Sequence, residues 1–155
     1  MRRIVLDASV AIKWYVPEIH SNEAEHLLFL RESGLLGFHV PDLFLIETAN
    51  ILWKKARAGE LNTQELNQIS DAIWFSPKTV HASRSLLSSA RDISQTLSIA
   101  VYDSLYLALA IALDCPLVTA DRKLYQALFN TALEPFAWWI GSRLDEQIRA
   151  KTRVR

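Results

Sequence analysis

Apolar residues in this chain gather into short dense runs, separated by longer stretches in which they recur at helical spacing. Ile4-Val5-Leu6 is one such run, so Arg3 to Asp7 is predicted as a short buried strand. Phe38 to Val40, closed by Pro41, is a second candidate strand, Lys78 to His81 a third and Leu117 to Thr119 a fourth. Ser9 is placed to cap a short helix through about Tyr15, ahead of Pro17. Asn22 and Glu25 have capping-box spacing for a helix ending near Gly34 and Gly37. Asp42 precedes a long helix that closes at Gly59, with Lys54, Lys55 and Arg57 in its last turns, where the helix dipole favours cations. Asn62 and Glu65 form another capping box, opening a helix to about Trp74. Ser83 to Leu97 and Asp121 to Phe129 also read as helices. Val101 to Asp114 is apolar on nearly every side, the mark of a central helix.

Strands alternating with helices predict parallel strands covered on both faces. The expected fold is therefore α/β, a three-layer α/β/α sandwich around a central parallel sheet. No repeat, low-complexity tract or linker interrupts it. Residues 1–141 are expected to form one domain. Residues 142–155 form a basic C-terminal tail, helical or frayed, in which Arg143, Arg149, Lys151, Arg153 and Arg155 outweigh Asp145 and Glu146.

Composition narrows the class. At 155 residues, 50% hydrophobic and 22% charged, the chain suits one globular domain able to bury roughly 70% of its unfolded surface. Cys115 is the single cysteine and has no partner for an internal disulfide, which predicts a reducing, cytoplasmic setting and an inert packing role. Asp7 and Lys13 break the N-terminal apolar run, so it does not read as a secretion signal, and no apolar stretch reaches the ~18 residues of a membrane span. Lys plus Arg equals Asp plus Glu at 17 each, so nucleic-acid binding has no global basic footprint and must rest on a local patch or a metal-bridged phosphate.

The candidate chemistry lies in four carboxylates set against apolar surroundings. Asp7 ends Ile4-Val5-Leu6, and Glu47 follows Leu43-Phe44-Leu45-Ile46. Asp103 opens the segment Leu105 to Leu113, and Asp121 follows Pro116-Leu117-Val118-Thr119-Ala120. A buried carboxylate must be paired, protonated or metal-bound, and no Lys or Arg lies inside these stretches. Asp7 and Asp121 both follow predicted strands, at the edge where open α/β sheets bind ligands. Asp103 is in the first turn of its helix, and Glu47 and Asn50 share a helix face. Ser9 and Thr119 stand where they can orient the acids beside them. Each acid alone has a bland reading as a turn residue, a helix cap or part of a solvated stripe. Together they point to one acidic pocket. All-oxygen ligands select Mg²⁺, with Mn²⁺ as substitute, and His20, His26, His39 and His81 lack zinc-ligand spacing. Chemistry at such a centre is usually phosphoryl transfer.

Other arrangements fit poorly. The chain has only 4 glycines and neither a Walker A loop nor a dinucleotide fingerprint, and it contains no Gly-x-Ser-x-Gly elbow. A phosphoaspartyl enzyme would want a second Asp two residues after Asp7, where Ser9 stands. A DNA nuclease or a phosphatase using the same pocket, and a non-catalytic nucleic-acid-binding or scaffold protein, remain as alternatives. Lys13, Arg122 and Lys123 are candidates for steering a phosphate backbone. The tryptophans, Trp14, Trp53, Trp74, Trp138 and Trp139, read as core or subunit contacts ahead of base stacking.

Four segments carry a family resemblance: Ile4 to Val10; Pro41 through Glu47 and Asn50 to Leu52; Tyr102-Asp103-Ser104-Leu105-Tyr106-Leu107-Ala108-Leu109-Ala110; and Leu117 to Leu124. In this order they resemble the PIN-domain ribonucleases, specifically the VapC toxins of type II toxin–antitoxin pairs. The resemblance reaches to about Ile140. It implies a Mg²⁺- or Mn²⁺-dependent endoribonuclease with Asp7, Glu47, Asp103 and Asp121 as its acidic set, Asp7 and Asp103 being the most direct metal ligands. Asn50 and Thr119 match supporting polar positions. It also implies an RNA substrate, a homodimer and a cognate antitoxin, which would dock on apolar surface near Trp14 and the Leu27 to Leu36 helix.

Overall fold

A computed structural model describes residues 1–142 together with Leu144 and Ile148. Its centre is a five-stranded parallel sheet: β1 (Arg2–Leu6), β2 (Leu36–Pro41), β3 (Thr79–His81), β4 (Leu117–Thr119) and β5 (Ala137–Trp139), in the order β3-β2-β1-β4-β5. The helices are α1 (Ala8–Ala11), α2 (Ser21–Glu32), α3 (Leu43–Arg57), α4 (Thr63–Phe75), α5 (Leu87–Leu97), α6 (Val101–Ala112) and α7 (Arg122–Ala127).

The strand order has a physical consequence. From β1 the chain winds outward to β2 and β3, then returns through α5 and α6 to place β4 on the other side of β1. Right-handed crossovers then put α1 to α4 on one face and α5 to α7 on the other. Side-chain alternation agrees with this. Ile4 pairs with Phe38, whose ring stacks on Trp14 at 5.6 Å, whereas the neighbouring Arg3 points the opposite way and donates to the Leu113 carbonyl after α6. Winding reverses between β1 and β4, so a crevice opens beyond their carboxyl ends.

Ile4, Val5, Leu6, Leu117 and Val118 have no exposed surface, as buried parallel strands require. The α6 helix is buried continuously from Ser104 to Ala110 and packs against β1, β2 and β4. Among the described residues, no single helix is long and apolar enough to cross a membrane. Cys115 is buried, and burial pushes its thiol up to about 11, consistent with inert packing.

Local chemistry departs from expectation at several joints. Asn62 and Glu65 form the expected capping box, with bonds of 2.9 and 2.8 Å. Asn22 does not cap: α2 begins at Ser21, behind His20 in a left-handed conformation (φ 70°). Ser9 lies inside α1, and Asp7 holds the N-cap position. Asp42 is helical itself and turns its carboxylate to the backbone N–H and hydroxyl of Ser83, tying the end of β2 to the turn after β3. β5 escaped detection because three residues after Pro135 are too few to show strand alternation. Trp14 is buried and donates to the Ala24 carbonyl of α2 at 3.0 Å, so it offers no docking surface. The expected tail falls mostly outside the described residues, although Leu144 is buried and Ile148 packs against the core.

Candidate active site

The four acids reach the β1–β4 crevice from four different elements. Asp7 follows β1 directly, its backbone N–H bonded to the Val118 carbonyl of β4 at 3.1 Å. It is 8% exposed. Its Oδ2 accepts hydrogen bonds from Ser9 Oγ at 2.8 Å and Thr119 Oγ1 at 2.5 Å. Each hydroxyl is itself held in place: Ser9 Oγ accepts from the Ala120 N–H and Thr119 Oγ1 from the Asp121 N–H, at 3.1 and 3.0 Å. The strand ends, the start of α1 and the β4–α7 turn thus lock together around one carboxylate.

Asp121 caps α7, with Oδ1 accepting from the Leu124 N–H at 3.1 Å, so its ordinary structural reading holds alongside its place in the cluster. Asp103 is different. Ala100 holds the N-cap position of α6, and Asp103 lies one turn in, half-buried. Glu47 extends from α3, half-buried, and Oε2 accepts a 2.5 Å hydrogen bond from the Tyr106 hydroxyl of α6.

Electrostatics join these groups. Burial raises the Asp7 carboxyl above its ordinary range; hydrogen bonds from Thr119 and Ser9 oppose this, and the charge on Asp121 adds to it. Burial also pushes Glu47 up to about 7, reinforced by Asp7 and Asp103 and opposed by Tyr106. Asp103 is pushed up to about 6, first by burial and then by Asp7 and Asp121, with partial relief from Lys123. Asp7, Glu47 and Asp103 therefore each feel the charge of at least one other acid. Among the described residues, none of the four has a Lys or Arg within ion-pair distance.

This is the environment that oxygen-ligated divalent cations favour: clustered carboxylates, no soft donors and no internal counter-charge. The side chains are gathered but not closed. No three Asp, Glu, His or Cys side chains among the described residues already converge at metal-binding distance. Repulsion gives a physical reason, since two carboxylates about 4 Å apart repel by roughly 4 kcal/mol at an effective dielectric of 20.

The remaining expected residues sit as follows. Asn50 is exposed on α3, one turn from Glu47. Lys123 is exposed and close enough to Asp103 to affect its ionisation. The neighbouring Arg122 instead places its guanidinium over the Trp139 ring at 5.3 Å. Lys13 is bonded to Glu18 at 2.9 Å, in a chain continuing through Lys55 to Glu60. Two features went unread in the sequence. Tyr106 enters the sequence reading as part of the apolar α6 segment and of the family resemblance, with no role of its own, although it stands one turn after Asp103 on the same face of α6, a usable signal. His39 and His81 pair across β2 and β3 at 2.9 Å, a contact no spacing could reveal.

Fold and side-chain placement together define a parallel α/β/α domain with a group of neighbouring carboxylates at the switch point of its sheet. The PIN-domain family model matches residues 4–129, and the chain belongs to that family. It is 36% identical to Ribonuclease VapC3 from Pyrobaculum aerophilum over 124 residues, covering 79% of this chain and 92% of the relative, and is thus a homologue of a VapC ribonuclease. Among solved structures, PAE2754 from Pyrobaculum aerophilum matches with a TM-score of 0.69 at 21% identity, covering 96% of this chain and 90% of the other. VapBC2 from Rickettsia felis, bound to a DNA fragment from its promoter, matches at 0.57 and 16%, covering 88% and 98%. FitAcB from Neisseria gonorrhoeae matches at 0.53 and 17%, covering 80% and 91%. At these identities the structures support the fold.

Proposed function

We propose that this chain is a Mg²⁺- or Mn²⁺-dependent endoribonuclease that serves as the toxin of a type II toxin–antitoxin pair. The observation that carries this is the acidic cluster: Asp7, Glu47, Asp103 and Asp121, mutually coupled and without an internal cation, at the ligand-binding edge of a PIN domain homologous to a VapC ribonuclease. The four carboxylates are the residues that would hold the ion, Asp7 and Asp103 most directly. A bound divalent ion supplies charge neutralisation at a phosphodiester and a lowered pKa for water.

The protein's own groups do the rest. Ser9 and Thr119 fix the Asp7 carboxylate through one oxygen, so that holding a cation would not require ordering that side chain first. Glu47 or Asp121 orients the attacking water as a general base, and the raised Glu47 suits that task near neutral pH. Lys123, near Asp103, and the exposed Arg122 attract the RNA backbone, while Lys13 would have to leave its bond to Glu18 to reach it. A cognate antitoxin, a homodimeric state and a cytoplasmic location follow from the VapC reading.

The test is cleavage of labelled RNA, single-stranded DNA and a simple phosphate ester with Mg²⁺, with Mn²⁺ and with EDTA. RNA cleavage restored by either ion is the expected result. Hydrolysis confined to DNA or to the ester would reassign the substrate, and binding of RNA without metal-dependent cleavage would make the protein a non-catalytic member.

A further inference from the structure

Glu47 is the only acid of the cluster projected from α3, and a glutamate has three rotatable bonds, so something must hold it in the pocket. Tyr106 is in place to do so. It is 1% exposed, its hydroxyl donates to Glu47 Oε2 at 2.5 Å, and the backbone of Ala8, the first residue of α1 and the neighbour of Asp7, lies close enough to influence its ionisation. The phenol thus lies between the β1–α1 junction and α3, anchored on α6, the helix that bears Asp103. Glu47 Oε1 has no hydrogen-bond partner among the described residues.

We propose that Tyr106 is a positioning residue for the nuclease reaction, its hydroxyl fixing Glu47 relative to Asp7 and Asp103 so that the carboxylates close on a divalent cation. The proposal rests on the nuclease reading above. The ordinary alternative is a buried tyrosine that merely needs a hydrogen-bond partner. The two differ in one respect: a positioning role acts through Glu47 and vanishes when the glutamate no longer matters, whereas a structural role does not depend on it.

The test is a double-mutant cycle of Tyr106→Phe and Glu47→Gln, read in two ways: RNA cleavage, separated into kcat and KM, and Mn²⁺ affinity by calorimetry. Phenylalanine preserves the buried ring, and circular dichroism and melting establish that each variant is folded. The expected result is a loss of about 10- to 100-fold in kcat and in Mn²⁺ affinity for Tyr106→Phe, the usual effect of removing a group that orients a metal ligand, with KM little changed. In the Glu47→Gln background the same substitution should have almost no further effect. Wild-type kcat and Mn²⁺ affinity in Tyr106→Phe would overturn the proposal, as would an undiminished effect in the Glu47→Gln background. Wild-type protein that neither takes up Mn²⁺ nor cleaves RNA overturns the nuclease reading and this inference with it. An active wild type with an indifferent Tyr106→Phe removes only the inference.

Discussion

At the scale of single residues, the acids carry a stability cost that shows which way they will respond to substitution. Asp7 is nearly inaccessible, and its two hydroxyl partners do not offset its desolvation. Asp7→Asn keeps the shape, removes the charge and relieves repulsion with Asp121, so the expected outcome is a metal-free melting temperature equal to or above wild type, with RNA cleavage abolished. A variant that unfolds would show instead that Asp7 is structural. The pH dependence follows from the same shifts. Glu47 and Asp103 rise from 4.5 and 3.8 to about 7 and about 6, so both bind protons more tightly folded than unfolded. Their contribution is fully present below about pH 4 and is lost as pH rises through 6 to 7. Thermal melts in EDTA should therefore show stability declining across pH 4 to 7.5, and the Asp103→Asn/Glu47→Gln double variant should flatten that slope.

At the scale of elements, the site depends on helix ends and strand ends being held where they are. The α4 helix is fixed at its start by the Asn62–Glu65 capping box and at its end by Lys78, whose ammonium donates to the carbonyls of Ile73, Trp74 and Ser76 at 2.7 to 2.8 Å. Burial lowers Lys78 to about 8, so this C-terminal clamp is a cation held partly out of water. Trp74 carries the constraint onward by donating to Thr48 Oγ1 at 3.2 Å, one residue from Glu47. Asn62→Ala should cost about 1 kcal/mol in urea unfolding. Because the cap is remote from the pocket, cleavage by the folded variant should stay close to wild type.

At the scale of the whole molecule, the parallel sheet unites residues that are far apart in the chain. Its β1–β4 pairing sets Leu6 beside Val118, and with them Asp7 beside Thr119. A cation bound at this edge binds the folded state alone. Mn²⁺ at about 100 times its dissociation constant should stabilise the fold by about 2.7 kcal/mol, which for a domain of this size raises the melting temperature by roughly 5 to 10 °C. Scanning calorimetry with and without Mn²⁺ checks this, and the shift should disappear in Asp7→Asn.

Much of this was legible in the chain because it depends on near neighbours. The hydrophobic runs of β1 and β4 and the apolar α6 specified buried parallel strands and a central helix, and an acid just beyond each strand and at the start of that helix marked the candidate site. The Asn62 box could be read because both its partners lie within four residues. Where two local signals competed, tertiary contacts decided. Asp42 had every sequence credential of a helix cap, yet it spends its carboxylate on Ser83, 41 residues away. Tyr106 reaches Glu47 across 59 residues, and His39 meets His81 across 42. Periodicity encodes which face of an element turns inward; it carries no information about which side chain of another element will be waiting there. The chain by itself therefore determined the layers, four of the five strands and the acids. Only the packed sheet, through its winding reversal beside β1, decided that those acids share a crevice and that a tyrosine stands among them.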